Sequence, residues 1–257
     1  MYRYGLKLWS TNVNYIPDAV RLFRERVYQY IELFVIPESY DQWFGVWKKL
    51  MNEEGVPFVI HAPHSRGGMN LAVRANMKNN MKMAKEAVKF VDGLKADFII
   101  FHPGIGGKEE ETAYQLKQIN DPRIVVENKP YCAIDGRTVC NGYSPEQIGM
   151  IMSEAGVGFC LDIGHAFCAA NSISANPYDY LREFMMLKPK MFHLTDGDIN
   201  NPIDEHRHIG QGNYNLLRIL GLLPESAIIT VETDKDDKQN LLDYEKDIEN
   251  IYAQIKN

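Results

Sequence analysis

The chain has 257 residues, 45% of them hydrophobic and 24% charged, with a formal net charge of −6. That length suits one α/β barrel and buries a large core without covalent staples. The acidic balance excludes recruitment of nucleic acid by bulk charge and leaves only a local basic patch for that purpose. No apolar run reaches the ~20 residues that span a bilayer. The opening MYRYGLKLWSTN lacks the apolar centre of a secretory leader, so the chain is expected to be soluble and cytoplasmic, with no obligate protein partner evident. Cys132, Cys140, Cys160 and Cys168 form no CxxC pair, which argues for reduced thiols over a zinc ribbon or a redox couple.

Short apolar runs, often β-branched and bounded by Gly, Pro or polar residues, read as strands. In chain order they are Tyr4–Trp9, Gln29–Val35, Phe58–Ile60, Asp97–Phe101, Arg123–Val126, Gly158–Leu161, Lys190–Leu194 and Ala227–Val231. Amphipathic stretches lie between them, among them Ala75–Leu94, Pro145–Glu154 and Leu241–Ile255. In the first of these, Met77, Met81, Ala84, Val88 and Val91 recur at spacings of three and four and predict one apolar helical face. Eight strands alternating with helices is the pattern of a parallel sheet. Eight repeats in this length favour closure into a (β/α)8 TIM barrel, a single domain over residues 1–257. The first strand runs into Trp9-Ser10-Thr11-Asn12, where an open nucleotide-binding sheet would carry a glycine-rich turn.

The residues just after each predicted strand form a pattern. They read HAPH (His61, His64), FHPG (His102), VEN (Glu127, Asn128), LDIGH (Asp162, His165), FHLTDGD (His193, Asp196), then DEHRHIGQGN (Asp204, His206, His208) and finally VETD (Glu232). All seven histidines of the chain fall in this set. Barrel enzymes build their sites at the C-terminal strand ends, and imidazole mixed with carboxylate suits zinc, manganese or iron. Taken singly, a histidine here is as often a hydrogen-bonded core residue as a ligand. Together with buried carboxylates the set asks for cations, because an unpaired buried carboxylate is costly. Lys and Arg are scarce beside these positions, so metal ions are the simplest partners. His165 lies three residues after Asp162, and Asp204 and His206, two apart in an extended loop, are expected on one side. The glycines of GIGG, from Gly104 to Gly107, fit either a phosphate cradle or a tight βα turn.

In order, these motifs resemble endonuclease IV, the family of metal-dependent apurinic/apyrimidinic endonucleases, which shares a barrel superfamily with xylose isomerase and many sugar epimerases. The resemblance runs from His61 to Glu232. It implies nine zinc ligands: His61, His102, Glu127, Asp162, His165, His193, Asp204, His206 and Glu232. It implies up to three zinc ions, with Glu127 bridging two and Glu232 near the attacking water, so that Glu127 and Glu232 are the catalytic candidates; manganese or another divalent ion would also suit the donors. Against the family pattern, His64 stands where a tyrosine follows HAP, and the second strand leads into IELFVIPESYDQW rather than a loop with Asn, Pro and Arg. Glu32 in that strand is more like the sugar isomerases.

Two activities follow. One is phosphoester hydrolysis, on abasic-site DNA or a smaller phosphoester. The other is isomerisation or epimerisation of a sugar or sugar phosphate, with Glu127 and Glu232 moving a proton between adjacent carbons. Substrate contacts are expected from Trp9, Glu32, His64, Arg66, Lys129 and Arg207.

Overall fold

In a computed structural model, which describes residues 2–256, eight parallel strands hydrogen-bond in sequence order and close on themselves. They are β1 (Arg3–Trp9), β2 (Tyr30–Phe34), β3 (Phe58–His61), β4 (Ile99–Phe101), β5 (Ile124–Glu127), β6 (Gly158–Asp162), β7 (Met191–Leu194) and β8 (Ile228–Val231). β8 returns to pair with β1, placing Arg3 against Ile228 and Leu6 against Val231. Around the barrel run α1 (Ile16–Arg24), α2 (Tyr40–Glu54), α3 (Met77–Leu94), α4 (Glu109–Ile119), α5 (Pro145–Ala155), α6 (Ile163–Ser172), α7 (Pro177–Met185), α8 (Leu216–Leu220) and α9 (Leu242–Lys256). The predicted strands all form within about two residues of the expected bounds.

Strand alternation sorts the side chains into two environments. On β1, Tyr4, Leu6 and Leu8 join the main apolar core between sheet and helices. Their neighbours Gly5, Lys7 and Trp9 therefore face the lumen. Low in the lumen Tyr30, Val59, Ile100, Val125, Cys160 and Met191 form a second apolar cluster that plugs the barrel. Gly5 is required there, since a Cβ at that position would sit 2.2 Å from the Tyr30 ring. The helical face of α3 differs from the sequence reading. Asn80, Ala84, Ala87, Phe90, Val91 and Leu94 are buried, whereas Met77, Met81 and Val88 are only partly covered. Asn80 belongs on the buried face because its amide bonds Asn70 and Gln115, a polar tie that apolar periodicity does not register.

The long connections lie at the C-terminal end of the barrel, over residues 62–76, 128–144, 195–215 and 232–241. The connection from β2 to α2 is short, residues 35–39. No helix of the described residues is long and apolar enough to cross a membrane.

Candidate metal centre

The mouth is built from strand ends. His61, Glu127 and Asp162 are the last residues of β3, β5 and β6, while His102 and Glu232 directly follow β4 and β8. His193 lies within β7. Between β6 and α6 there is no loop at all. Asp162 ends the strand and caps the helix, its Oδ1 accepting the His165 amide at 2.7 Å, while Oδ2 stays directed at the centre. Asn128 fixes that strand end by bonding both the N–H and the C=O of Asp162, at 2.7 and 2.9 Å.

The histidine rings share one arrangement. In His61, Nδ1 lies 2.7 Å from the Ala62 carbonyl. A carbonyl only accepts, so Nδ1 carries the proton and the Nε2 lone pair faces Glu127 Oε2 at 3.1 Å. His165 turns Nδ1 to the Asn128 carbonyl (2.9 Å) and Nε2 to Asp204 Oδ2 (3.3 Å). His206 turns Nδ1 to the Glu232 carbonyl (2.8 Å) and Nε2 to Asp204 Oδ2 (2.7 Å). His193 gives Nε2 to Glu32 Oε2 (2.9 Å) and aims Nδ1 at Glu232 Oε2 (2.7 Å), Glu127 Oε2 (3.5 Å) and Asp162 Oδ2 (3.7 Å). A lone pair facing carboxylate oxygens is repulsive unless a cation lies between them. Metal-binding histidines have this form, one nitrogen on the ion and the other donating to a carbonyl or carboxylate.

The donors fall into three groups. His61, His102 and Glu127 present ligand atoms within 4.8 Å of one another, and so do His165, Asp204 and His206. Between them lies the set around His193 Nδ1, formed by Glu127, Asp162 and Glu232. Glu127 joins the first group to the central one, with Oε2 3.2 Å from His102 Nε2 and 3.5 Å from His193 Nδ1, while its Oε1 lies 3.1 Å from His165 Nδ1, the nitrogen turned to the Asn128 carbonyl. Burial would raise the Glu127 carboxyl, but His102 and His193 beside it hold it well below the usual range. Burial likewise opposes charge on His165 and His206, yet Asp162 and Asp204 respectively push them up to about 10 and about 9. These carboxylates therefore demand cations, either protons on the imidazoles or metal ions that displace them. The donors fit divalent ions, and the orphaned atoms agree: His193 Nδ1 and Glu232 Oε2 are buried without a hydrogen-bond partner among the described residues.

Lys7 is the residue that the strand-end pattern misses. It rises from mid-β1 into the lumen, contacts Glu232 Oε1 and lies 3.2 Å from Glu32 Oε1. The expectation that lysines are scarce around the carboxylates is thus corrected, for strand alternation brings in a residue far from any strand end. The signal was present: a lysine between Leu6 and Leu8 in a strand covered on both faces has nowhere to point but the lumen. Even so, Glu32, Glu127, Asp162, Asp204 and Glu232 outnumber Lys7 and Lys129 by five to two.

The predicted substrate residues separate. Glu32 is fully buried beneath His193, where it also accepts from Thr230 Oγ1 at 2.6 Å, so it is corrected from a substrate contact to a support for His193. His64 stacks on His102 with ring centroids 5.1 Å apart. Its Nδ1 accepts the Arg66 amide at 3.2 Å, and burial, with Lys129 and His61 nearby, lowers its pKa to about 3. It is therefore a neutral ring whose Nε2–H is a donor. Trp9 stands at the rim, 54% exposed, with its ring 6.5 Å from that of Phe34. Lys129 Nζ is 3.4 Å from His165 Nε2. Arg66 is exposed on a short turn, and Arg207 pairs with Glu205 at 2.6 Å.

Other members of the strand-end set hold loops. Asp196 accepts four backbone amides, those of Gly197, Gly210, Gly212 and Tyr214. His208 turns from the centre to Asp247 Oδ2 at 2.9 Å. His206 adopts φ +47°, so the loop is kinked there rather than extended, and the kink brings its Nε2 to Asp204. In GIGG, Gly107 packs against the Ala72 backbone, and the Ile105 and Gly106 amides are taken by Asn70 Oδ1 and the Val139 carbonyl. The turn reading holds there. Cys160 lies in the lumen plug with its thiol pushed up to about 12 by burial.

A closed eight-stranded α/β barrel with imidazole and carboxylate donors at its C-terminal mouth defines a class of barrels whose mouth could hold metal ions. The profile of the xylose isomerase-like TIM barrel family matches residues 20–254, and the chain belongs to that family. It is 24% identical over 229 residues to a probable endonuclease 4 of Thermoplasma volcanium, covering 79% of this chain and 77% of that protein. Its fold is similar to a D-tagatose 3-epimerase-like protein, with a TM-score of 0.77, 20% identity, and 99% and 97% of the two chains covered. It is also similar in fold to an endonuclease IV from Thermus thermophilus, with a TM-score of 0.70, 18% identity and 99% of each chain covered.

Proposed function

We propose that the protein is a divalent-metal-dependent phosphoester hydrolase, with zinc as the ion, up to three per chain. The observation that carries this reading is the division of nine donors into three groups, two of them joined through Glu127. One ion needs four or so donors; nine serve several. Bound divalent ions supply Lewis-acid polarisation and neutralise charge on the attacking and leaving oxygens.

The chain's own residues supply the rest. Glu232 holds Oε1 against Lys7 and turns Oε2 to the centre, where it would face the ion and orient an attacking water by accepting its hydrogen bond. Glu127 fixes the spacing of the groups. His64 offers Nε2–H at the rim, and Lys129 a cation for a phosphate oxygen. The short 35–39 connection and the net charge of −6 favour a small phosphoester over duplex DNA. The similarity to a protein named probable endonuclease 4 keeps abasic-site DNA as the other candidate. The test is turnover of metal-loaded protein on abasic-site duplex and on a panel of small phosphomonoesters and phosphodiesters. Activity that disappears in Glu232→Gln with metal retained supports the reading, and inertness on every substrate sinks it.

A second reading, sugar or sugar-phosphate isomerase or epimerase, is favoured by one observation. Glu127 and Glu232 approach His193 Nδ1 together, at 3.5 and 2.7 Å, which places two carboxylates about one position. Deuterium entering a ketose from heavy water would support it, and its absence across ketoses would remove it.

A further inference from the structure

Lys7 and His193 are linked through two carboxylates. Glu32 gives Oε2 to His193 Nε2 and faces Lys7 with Oε1; Glu232 gives Oε1 to Lys7 and faces His193 Nδ1 with Oε2. The ring of four side chains closes at the central donor group. Lys7 is only 11% exposed, so its ammonium is little screened by water. It takes one oxygen of Glu232 and leaves the other for an ion. The central group also shares Glu127 with His61 and His102, whereas His165, Asp204 and His206 form a set that includes neither Lys7 nor Glu232.

We propose that Lys7 is a resident cation of the metal centre, which restricts Glu232 to one oxygen towards the central position and weakens ion binding there. This rests on the metal reading above. With Lys7 on Glu232 Oε1, an ion at the central position meets less negative potential than it would without the lysine. The consequence has a sign that a merely structural lysine would not produce. Removing the ammonium frees Glu232 Oε1 and removes a like charge, so central affinity rises. Loss of a structural tie would lower it.

The experiment is stepwise zinc titration of the metal-stripped full-length protein against a chromophoric chelator. Wild type is expected to take up zinc in steps whose affinities set the reference for the variants. In Lys7→Met and Lys7→Gln one binding step tightens roughly tenfold or more, and in Lys7→Arg, which keeps the charge, every step stays near wild type. Unchanged affinities, or a weakened step with none tightened, in a folded neutral variant overturn the inference while leaving the metal reading intact. Wild type that takes up no stoichiometric zinc overturns the metal reading and the inference with it.

Discussion

Nδ1 of His193 and Oε2 of Glu232 lie 2.7 Å apart, both buried, and neither has a hydrogen-bond partner among the described residues. Two polar atoms so close yet not bonded to each other are oriented toward a shared third point, as two ligands of one cation would be. The ring's other nitrogen is already fixed by Glu32, so His193 cannot turn away without losing that hydrogen bond as well. The same logic recurs at His61, His165 and His206, whose outward nitrogens are held by backbone carbonyls.

Loading the stripped protein with zinc should raise its thermal stability. Binding only to the native state at a thousand times the dissociation constant adds about 4 kcal/mol, or about 10 °C in Tm for a chain this long. Melting curves with zinc and with chelator measure it; coincident curves would show that the donors do not form an ion site.

Glu127→Gln should reduce zinc content by more than one ion per chain, because Glu127 belongs to both the His61–His102 group and the central one. Elemental analysis of folded protein decides the matter. Full metal content in the variant would mean that Glu127 does not bridge.

Glu32→Gln leaves the donors to the metal untouched but weakens the carboxylate behind His193. Loss of such a partner typically lowers metal affinity ~10- to 100-fold. Chelator competition at constant pH reads this directly, and an unchanged affinity would show that the contact with His193 has no influence on the ion.

Asp196→Asn should cost about 3 kcal/mol in urea denaturation, since an amide group in place of one carboxylate oxygen opposes the backbone N–H groups it faced. The four amides that Asp196 holds belong to residues 197–214, the segment that carries Asp204 and His206. A loss below about 0.5 kcal/mol, the range of ordinary surface changes, would rule out Asp196 as the organiser of that loop.

Much of this molecule was legible in its residues. The eight strands follow from apolar runs between breakers, because a strand buried on both faces must be apolar along its length. The donor types follow too, since HAPH, FHPG, VEN, DIGH and VET stand at strand ends, and strand ends in a barrel point to one mouth. What the residues could not disclose is who meets whom across the lumen. That depends on strand stagger and on ring orientation, which are set by closure of the barrel rather than by spacing along the chain. Closure put Glu32 beneath His193, turned His208 away to Asp247, gave Asp196 to the backbone, and brought Lys7 from the middle of β1 to Glu232. The sequence by itself determined the barrel and the kinds of atom at its mouth. Only the tertiary structure decided that these atoms form three groups, two of them sharing Glu127, with a lysine among them, because that division depends on distances between residues on different strands.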